Sequence, residues 1–250
     1  MPRDSIIDSH VHLKHGDAGR TEYSPEEIVE TMDAADIDRS VVFAMSTTTK
    51  RSIEMASEAV RKFPDRLIPY AYALPSYERP VIDEIDRAVA TLGFRGIKIH
   101  IGECTLAEYV IDPVIELAGR REVPCLIDCA GDHEVITRMS ETFPETKIIV
   151  AHLGRYLCNE GALIDRFIGL AMAHRNIYLD ISGVIIPSKI AEAVRRVGSE
   201  RIIFGTDGPD KKPDTATHAR NELEKVRRLN LEPTDQRAIF GHSIASLLRL

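Results

Sequence analysis

Residues 6–16 read IIDSHVHLKHG, an apolar pair running into His10, His12 and His15. The chain has nine histidines in 250 residues, so three in one short stretch is a local concentration. The stretch reads as a β-strand that runs out into a loop. Residues two apart on a strand share a face, so His10 and His12 stand ~6.6 Å apart along the axis with both rings on one side. Asp8 has the same parity; His15 does not, and it lies beyond the strand. A divalent ion ~2.1 Å from each nitrogen bridges such a pair where the strand curves. Two satisfied polar residues at a strand end have the same appearance, so the rest of the chain must decide.

Seven more β-rich apolar runs follow: RSVVFAM (39–45), RLIPYAYAL (66–74), FRGIKIHI (94–101), VPCLIDC (123–129), KIIVAHLG (147–154), NIYLDISG (176–183) and RIIFGTDG (201–208). Helical patterns fit between most neighbours. Ser24, Pro25 and Glu27 form a capping box at the start of one helix. Ile53, Ala56, Val60 and Phe63 line one face of the next, which stops at Pro64. Another runs from Pro187 to Gly198. EGALIDRFIGLAMAHR (160–175) is apolar enough to lie on a sheet. Pro113 is expected to begin or kink the helix of AEYVIDPVIELAGRR (107–121). Eight strands alternating with helices over this length predict an α/β fold, a single (β/α)8 TIM-barrel domain over residues 1–250. The structural rival is a doubly wound open sheet, but no GxGxxG or GxxxxGK[ST] loop follows any strand.

Composition narrows the function classes. A net charge of −7 gives no basic footprint for nucleic acid. No apolar run approaches the ~20 residues of a membrane span, and the opening MPRDSIIDSH lacks signal-peptide regions. The four cysteines, 104, 125, 129 and 158, form no CxxC pair. A cytoplasmic protein with reduced thiols is expected, with a small-molecule substrate, no nucleic-acid or membrane partner, and a possible homodimer.

Barrel enzymes carry reactive groups at the carboxyl ends of their strands. Strand 1 ends in His10 and His12, strand 4 in Lys98 and His100, strand 5 at Asp128, strand 6 at His152, strand 7 at Asp180 and strand 8 at Asp207. Folding gains nothing obvious from charges beside an apolar core, which cost free energy unless paired or metal-bound. This makes His10, His12, His152 and Asp207 candidates for a metal site. His100 reads as a pocket residue, and Arg155 lies close enough to strand 6 to reach an anionic substrate. Asp180 either supports the site or bonds a neighbouring loop. Cys125 and Cys129 read as inert core thiols, Tyr70 and Tyr72 as core. His133, His174 and His218 read as solvated.

IDSHVHL, GFRGIKIH, KIIVAHLGR, NIYLDISG, IIFGTDGP and the terminal GHSIASLLRL together resemble the amidohydrolase superfamily. The resemblance spans residues 6–250 and is greatest to the branch of small metal-dependent hydrolases and decarboxylases, the amidohydrolase 2 type. It implies that His10 and His12 bind a metal, that Asp207 ligates it and acts as general base toward water, and that His152 orients the water or polarises the substrate carbonyl. Lys98 matches a position that carries a carboxylated lysine in some members and a substrate-facing cation in the branch resembled most. Strand 5 departs from the pattern: Asp128 stands where the family has a metal-binding histidine, and offers oxygen at the same reach. Two carboxylates on the ion weaken the fall in pKa of its water, normally to ~7 for zinc held by histidines, and favour harder ions. Ser243 also departs, at a packing position where the family has asparagine.

The expectation is therefore an enzyme, an amidohydrolase-like hydrolase of an amide, lactone or ester. One divalent metal is held by His10, His12, Asp128 and Asp207, zinc first and manganese second. Asp207 and His152 are catalytic, and Lys98, His100 and Arg155 contact a carboxylate-bearing substrate. The alternatives are decarboxylation of a small unsaturated or aromatic acid, a metal-free lactonase, and an inactive binding scaffold. Mostly short loops suggest a compact substrate.

Overall fold

The computed structural model describes residues 5–250. Its elements follow the order β1 (Ile7–Lys14), α1 (Pro25–Ala35), β2 (Arg39–Ala44), α2 (Thr49–Lys62), β3 (Leu67–Tyr72), α3 (Ile82–Leu92), β4 (Gly96–His100), α4 (Glu108–Arg120), β5 (Cys125–Asp128), α5 (His133–Thr142), β6 (Ile148–Val150), α6 (Gly161–Ala173), β7 (Ile177–Asp180), α7 (Pro187–Val197), β8 (Ile202–Ile203), α8 (Thr215–Arg227), α9 (Pro233–Arg237) and α10 (Ser243–Leu248). Every strand pairs in parallel with the next, in the order β1 to β8. The Ser9 N–H donates to Phe204 O at 3.0 Å and the His12 N–H to Gly208 O at 2.7 Å, which closes the seam between the first and last strands. The fold is the expected TIM barrel, since an open doubly wound sheet reverses its strand order and this one does not.

Alternation along the strands builds two apolar layers. Val41 and Phe43 of β2, Tyr70 and Tyr72 of β3, Leu126 of β5 and Ile149 of β6 meet in one cluster, with Ile244 and Leu248 of α10 packed against them. The residues between them, such as Val42, Ala71, Ile97, Ile99 and Ile127, join the larger cluster with the helices. Because Ile97 and Ile99 face the helices, Lys98 and His100 project into the barrel.

β1 departs from simple alternation. Its register against β2 shifts between Asp8 and Val11, where Asp8 pairs with Ser40 but Val11 pairs with Val42 and His12 with Phe43. The irregularity flips the face. His10 and His12 therefore project inward, whereas Asp8, expected to share their parity, borders a small space with Val11, Ile28 and Met32 on the helix side.

The helix signals act as the sequence suggests. The Ser24–Glu27 capping box is formed on both sides, with Pro25 in the first turn. Gly198 ends α7. α4 starts at Glu108 and runs through Pro113, rather than starting at it; the carbonyl deprived of its N–H belongs to Tyr109, an exposed residue of the first turn. His218, expected in solvent, is half-buried in α8 and hydrogen-bonds Thr206 O at 3.0 Å.

The 3-10 turn after β6, Ala151–Gly154, depends on its glycine. Gly154 has φ 109°, and a Cβ there would meet the Phe167 ring at 2.1 Å. Gly154→Ala is expected to cost roughly 3 kcal/mol from left-handed strain plus overpacking. Urea unfolding measures it, and a loss below ~1 kcal/mol would contradict the packing described.

Candidate metal centre

The site forms where strands end and the backbone turns. His152 (φ 60°) follows β6 and Asp207 (φ 58°) follows β8, both in the left-handed region. Non-glycine residues there cost ~1–2 kcal/mol each and persist where surrounding bonds fix them. Asp180 Oδ1 accepts from the His152 N–H at 3.1 Å. Asp8 accepts from the Thr206 N–H at 2.9 Å and from the Thr206 hydroxyl at 2.6 Å, while Thr206 Oγ1 accepts from the Gly208 N–H at 3.1 Å. Asp8 thus braces the turn that presents Asp207. Burial pushes its carboxyl up to about 7 against these hydrogen bonds.

At the centre, Asp207 Oδ1 lies 2.9 Å from His12 Nε2 and 3.1 Å from His10 Nε2. Donors ~2.1 Å from a common divalent ion, at mutual angles of about 90–110°, stand ~3.0–3.4 Å apart, so this spacing is that of neighbouring ligands. Among the described residues, two groups of three have donor atoms within 4.8 Å of one another: His10, His12 and Asp207, and His10, His152 and Asp180. Burial, then the charge of Lys98, keeps His10 below the ordinary imidazole range against Asp207 and Asp180. Burial, then His15, keeps His12 well below it. Neutral imidazole is the form that ligates a metal. Burial opposes ionisation of Asp207, but the imidazoles of His10, His152 and His12 hold its carboxyl well below the usual range. His15, set aside on parity, stacks on His12 with ring centroids 4.3 Å apart.

Asp128 is in neither group. Its Oδ2 lies 3.1 Å from His100 Nε2 and 3.5 Å from His152 Nε2. His100 Nδ1 accepts from the Gly102 N–H at 2.9 Å, so His100 carries its proton on Nε2 and gives it to Asp128. Burial alone would raise Asp128, but His100, His152 and Lys98 hold it well below the carboxylate range. His152 is pushed up to about 9: burial works against this, and Asp207, Asp128 and Asp180 outweigh it. Lys98 Nζ is buried 3.0 Å from His10 Nε2, and burial lowers it against the pull of the three carboxylates. Even with Lys98 and His152 both cationic, Asp128, Asp180 and Asp207 leave negative charge in excess. The donor set and the charge both fit a divalent cation.

Two of the residues expected to contact substrate differ in setting. Lys98 is enclosed at the bottom of the site, and Arg155 is exposed and faces Glu160 at 3.2 Å. Several residues had no sequence signal. Ser182 is fully buried between His10 and His152. Glu103, in the loop after β4, accepts from the Tyr72 hydroxyl at 2.5 Å and from Ser46 N–H and hydroxyl at 3.0 and 2.7 Å. The Tyr156 ring stands edge-on to His152 at 5.1 Å.

The sequence matches the family described as Amidohydrolase, of the Amidohydro_2 type, over residues 7–250. The chain belongs to the amidohydrolase family. No curated protein matches it. Among solved structures, a dihydroxybenzoic acid decarboxylase from Polaromonas sp. JS666, with bound manganese and the inhibitor 2-nitroresorcinol, is 18% identical with TM-score 0.74, covering 99% of this chain and 98% of that one. An amidohydrolase from Burkholderia multivorans with bound zinc is 15% identical with TM-score 0.79, covering 98% and 99%. A 2,6-dihydroxybenzoate decarboxylase complexed with 2,6-dihydroxybenzoate is 16% identical with TM-score 0.74, covering 99% and 100%. At these identities the likeness is one of fold. Among the described residues of this amidohydrolase, no helix is long and apolar enough to cross a membrane.

Titration of metal-free protein with zinc or manganese is expected to saturate near one ion per chain, and His12→Ala to weaken binding roughly a hundred-fold or more. Unchanged affinity in that variant would remove His12 from the ligand set. A second expectation concerns pH. A base raised in the folded state stabilises fully below its unfolded value of ~6.5 and loses that contribution as pH passes its folded value. The stability difference between metal-free wild type and His152→Gln should therefore shrink as pH rises through about 9. A difference independent of pH would contradict an ionised His152.

Proposed function

We propose that this amidohydrolase is a divalent-metal-dependent hydrolase of a small carbonyl compound, an amide, lactone or ester. One observation carries the reading: two imidazole nitrogens and one carboxylate oxygen meet at ligand spacing, with the His152 ring stacked beside His10. His10, His12 and Asp207 hold the ion in this proposal. Zinc is the first candidate and manganese, suited to a carboxylate-rich surround, the second. When bound, such an ion supplies Lewis acidity toward a carbonyl oxygen and acidifies water.

The chain's own groups do the rest. Asp207 uses one oxygen toward the imidazoles, and its other oxygen accepts a proton from the attacking water and returns it to the leaving group. His152 donates from Nε2 to the carbonyl oxygen as negative charge grows there. Asp128, taken in the sequence as a fourth ligand, is here the carboxylate that aims His152 and His100. His100, partly exposed, forms pocket wall. Lys98 balances charge beneath the site.

Decarboxylation of a small unsaturated or aromatic acid is the second reading, favoured by the decarboxylases among the solved structures of this fold. Metal-loaded protein offered pooled amides, lactones, esters and aromatic carboxylates, with acid release and carbon dioxide both followed, separates the two. Hydrolysis is expected, lost on chelation, and reduced roughly a thousand-fold in Asp207→Asn. Carbon dioxide without hydrolysis selects the second reading. Activity indifferent to chelation excludes both and leaves a metal-free lactonase.

A further inference from the structure

Ser182 lies two residues beyond Asp180, where the chain leaves β7, and is fully buried. Its Oγ has three polar neighbours: Asp180 Oδ1 at 2.5 Å, His152 Nδ1 at 3.0 Å and His10 Nδ1 at 3.3 Å. A serine hydroxyl has one proton to give and two lone pairs to offer. Asp180 Oδ1 already accepts from the His152 N–H at 3.1 Å and the Ser182 N–H at 3.3 Å, so it is an acceptor and the hydroxyl proton points at it. Both lone pairs then face imidazole nitrogens, and each ring must bring a proton to complete the bond.

The remaining contacts agree. His152 Nδ1 also faces Ser182 O at 2.9 Å, and a carbonyl only accepts. His10 Nδ1 also faces Asp180 Oδ1 at 3.5 Å. The same Asp180 oxygen accepts from the Ser182 N–H at 3.3 Å, which ties the clamp to the backbone.

We propose that Ser182, oriented by Asp180, is a positioning residue that fixes His10 and His152 together with the proton on Nδ1. The opposite tautomer at His10 would set a bare nitrogen against the hydroxyl lone pair, a mismatch that burial makes unfavourable. With Nδ1 protonated, the His10 Nε2 lone pair points at Asp207 Oδ1, and Nε2 of His152 points toward Asp128. One hydroxyl thereby sets the inward face of two rings, one from β1 and one from the turn after β6. The effect on ion affinity rests on the metal-centre reading above; the proton position does not.

Imidazole nitrogen shifts of ¹⁵N-labelled, metal-free protein, assigned against His10→Gln and His152→Gln, report which nitrogen carries the proton. Wild type is expected to show Nδ1–H at both rings. Ser182→Ala should give His10 a mixture while His152 keeps Nδ1–H on the Ser182 carbonyl. Zinc affinity should fall about ten- to a hundred-fold, and Ser182→Thr, which keeps the hydroxyl, should recover it. Nε2–H at His10 in wild type overturns the proposal, as does a Ser182→Ala protein whose His10 tautomer is unchanged, whatever its affinity. If Ser182→Ala does not fold, the wild-type spectrum still decides. If wild type takes up no zinc or manganese, the metal reading fails while the nitrogen shifts still judge the clamp.

Discussion

A single carboxylate oxygen, Asp207 Oδ1, meets the inward nitrogens of both strand-1 histidines, and the rest of the mouth is arranged around that meeting. It exists only because the barrel closes. Asp207 and His12 are 195 residues apart in sequence, and they come together because the first and last strands share backbone hydrogen bonds at Ser9 and His12. The irregularity in β1 matters equally. Without the shift between Asp8 and Val11, strict alternation from Ile7 would turn both histidines toward the helices.

Burying this much charge is unfavourable unless each group has a partner. Asp8 is satisfied by Thr206 and works on the helix side of the sheet. Asp180 Oδ1 is satisfied by Ser182 and the His152 backbone, while its Oδ2 is buried without a hydrogen-bond partner. Asp128 is satisfied by His100 and approached by His152. Asp207 has the two strand-1 imidazoles as its nearest partners, and they and His152 hold it ionised against burial. An ionised carboxylate oxygen thus sits at ligand spacing from two imidazole nitrogens, which is why the site reads as built for a cation rather than merely stable.

Much of this was legible in the sequence because barrels repeat. Each apolar run had a type and a bound, and the eight together gave strand order and the end at which chemistry collects. His10, His12 and Asp207 were recognisable as strand-end groups, and the family match agrees with the motifs that suggested it. What parity could not show was the bulge: Asp8 has the same even number as His10 and faces the other way. Nor does spacing reveal that Asp128 is held by His100, its register partner on β4, or that Arg155 bends to Glu160. Ser182 and Glu103 escaped notice because serine and glutamate in loops are ordinary; only burial and partners distinguish them.

Glu103 has one more implication. Its carboxylate, kept ionised by the Tyr72 and Ser46 donors despite partial burial, fastens the segment after β4 to the ends of β2 and β3. That side of the opening is pinned and has little freedom to swing. The opposite side carries Tyr156, Leu157 and Ile185, all exposed, above a base where Asp180 ties the turn after β6 to β7 and Glu222 of α8 accepts from the Gly183 N–H. Small molecules entering or leaving are thus expected to meet two unlike rims, apolar and exposed over β6–β7, polar and pinned along β2–β4.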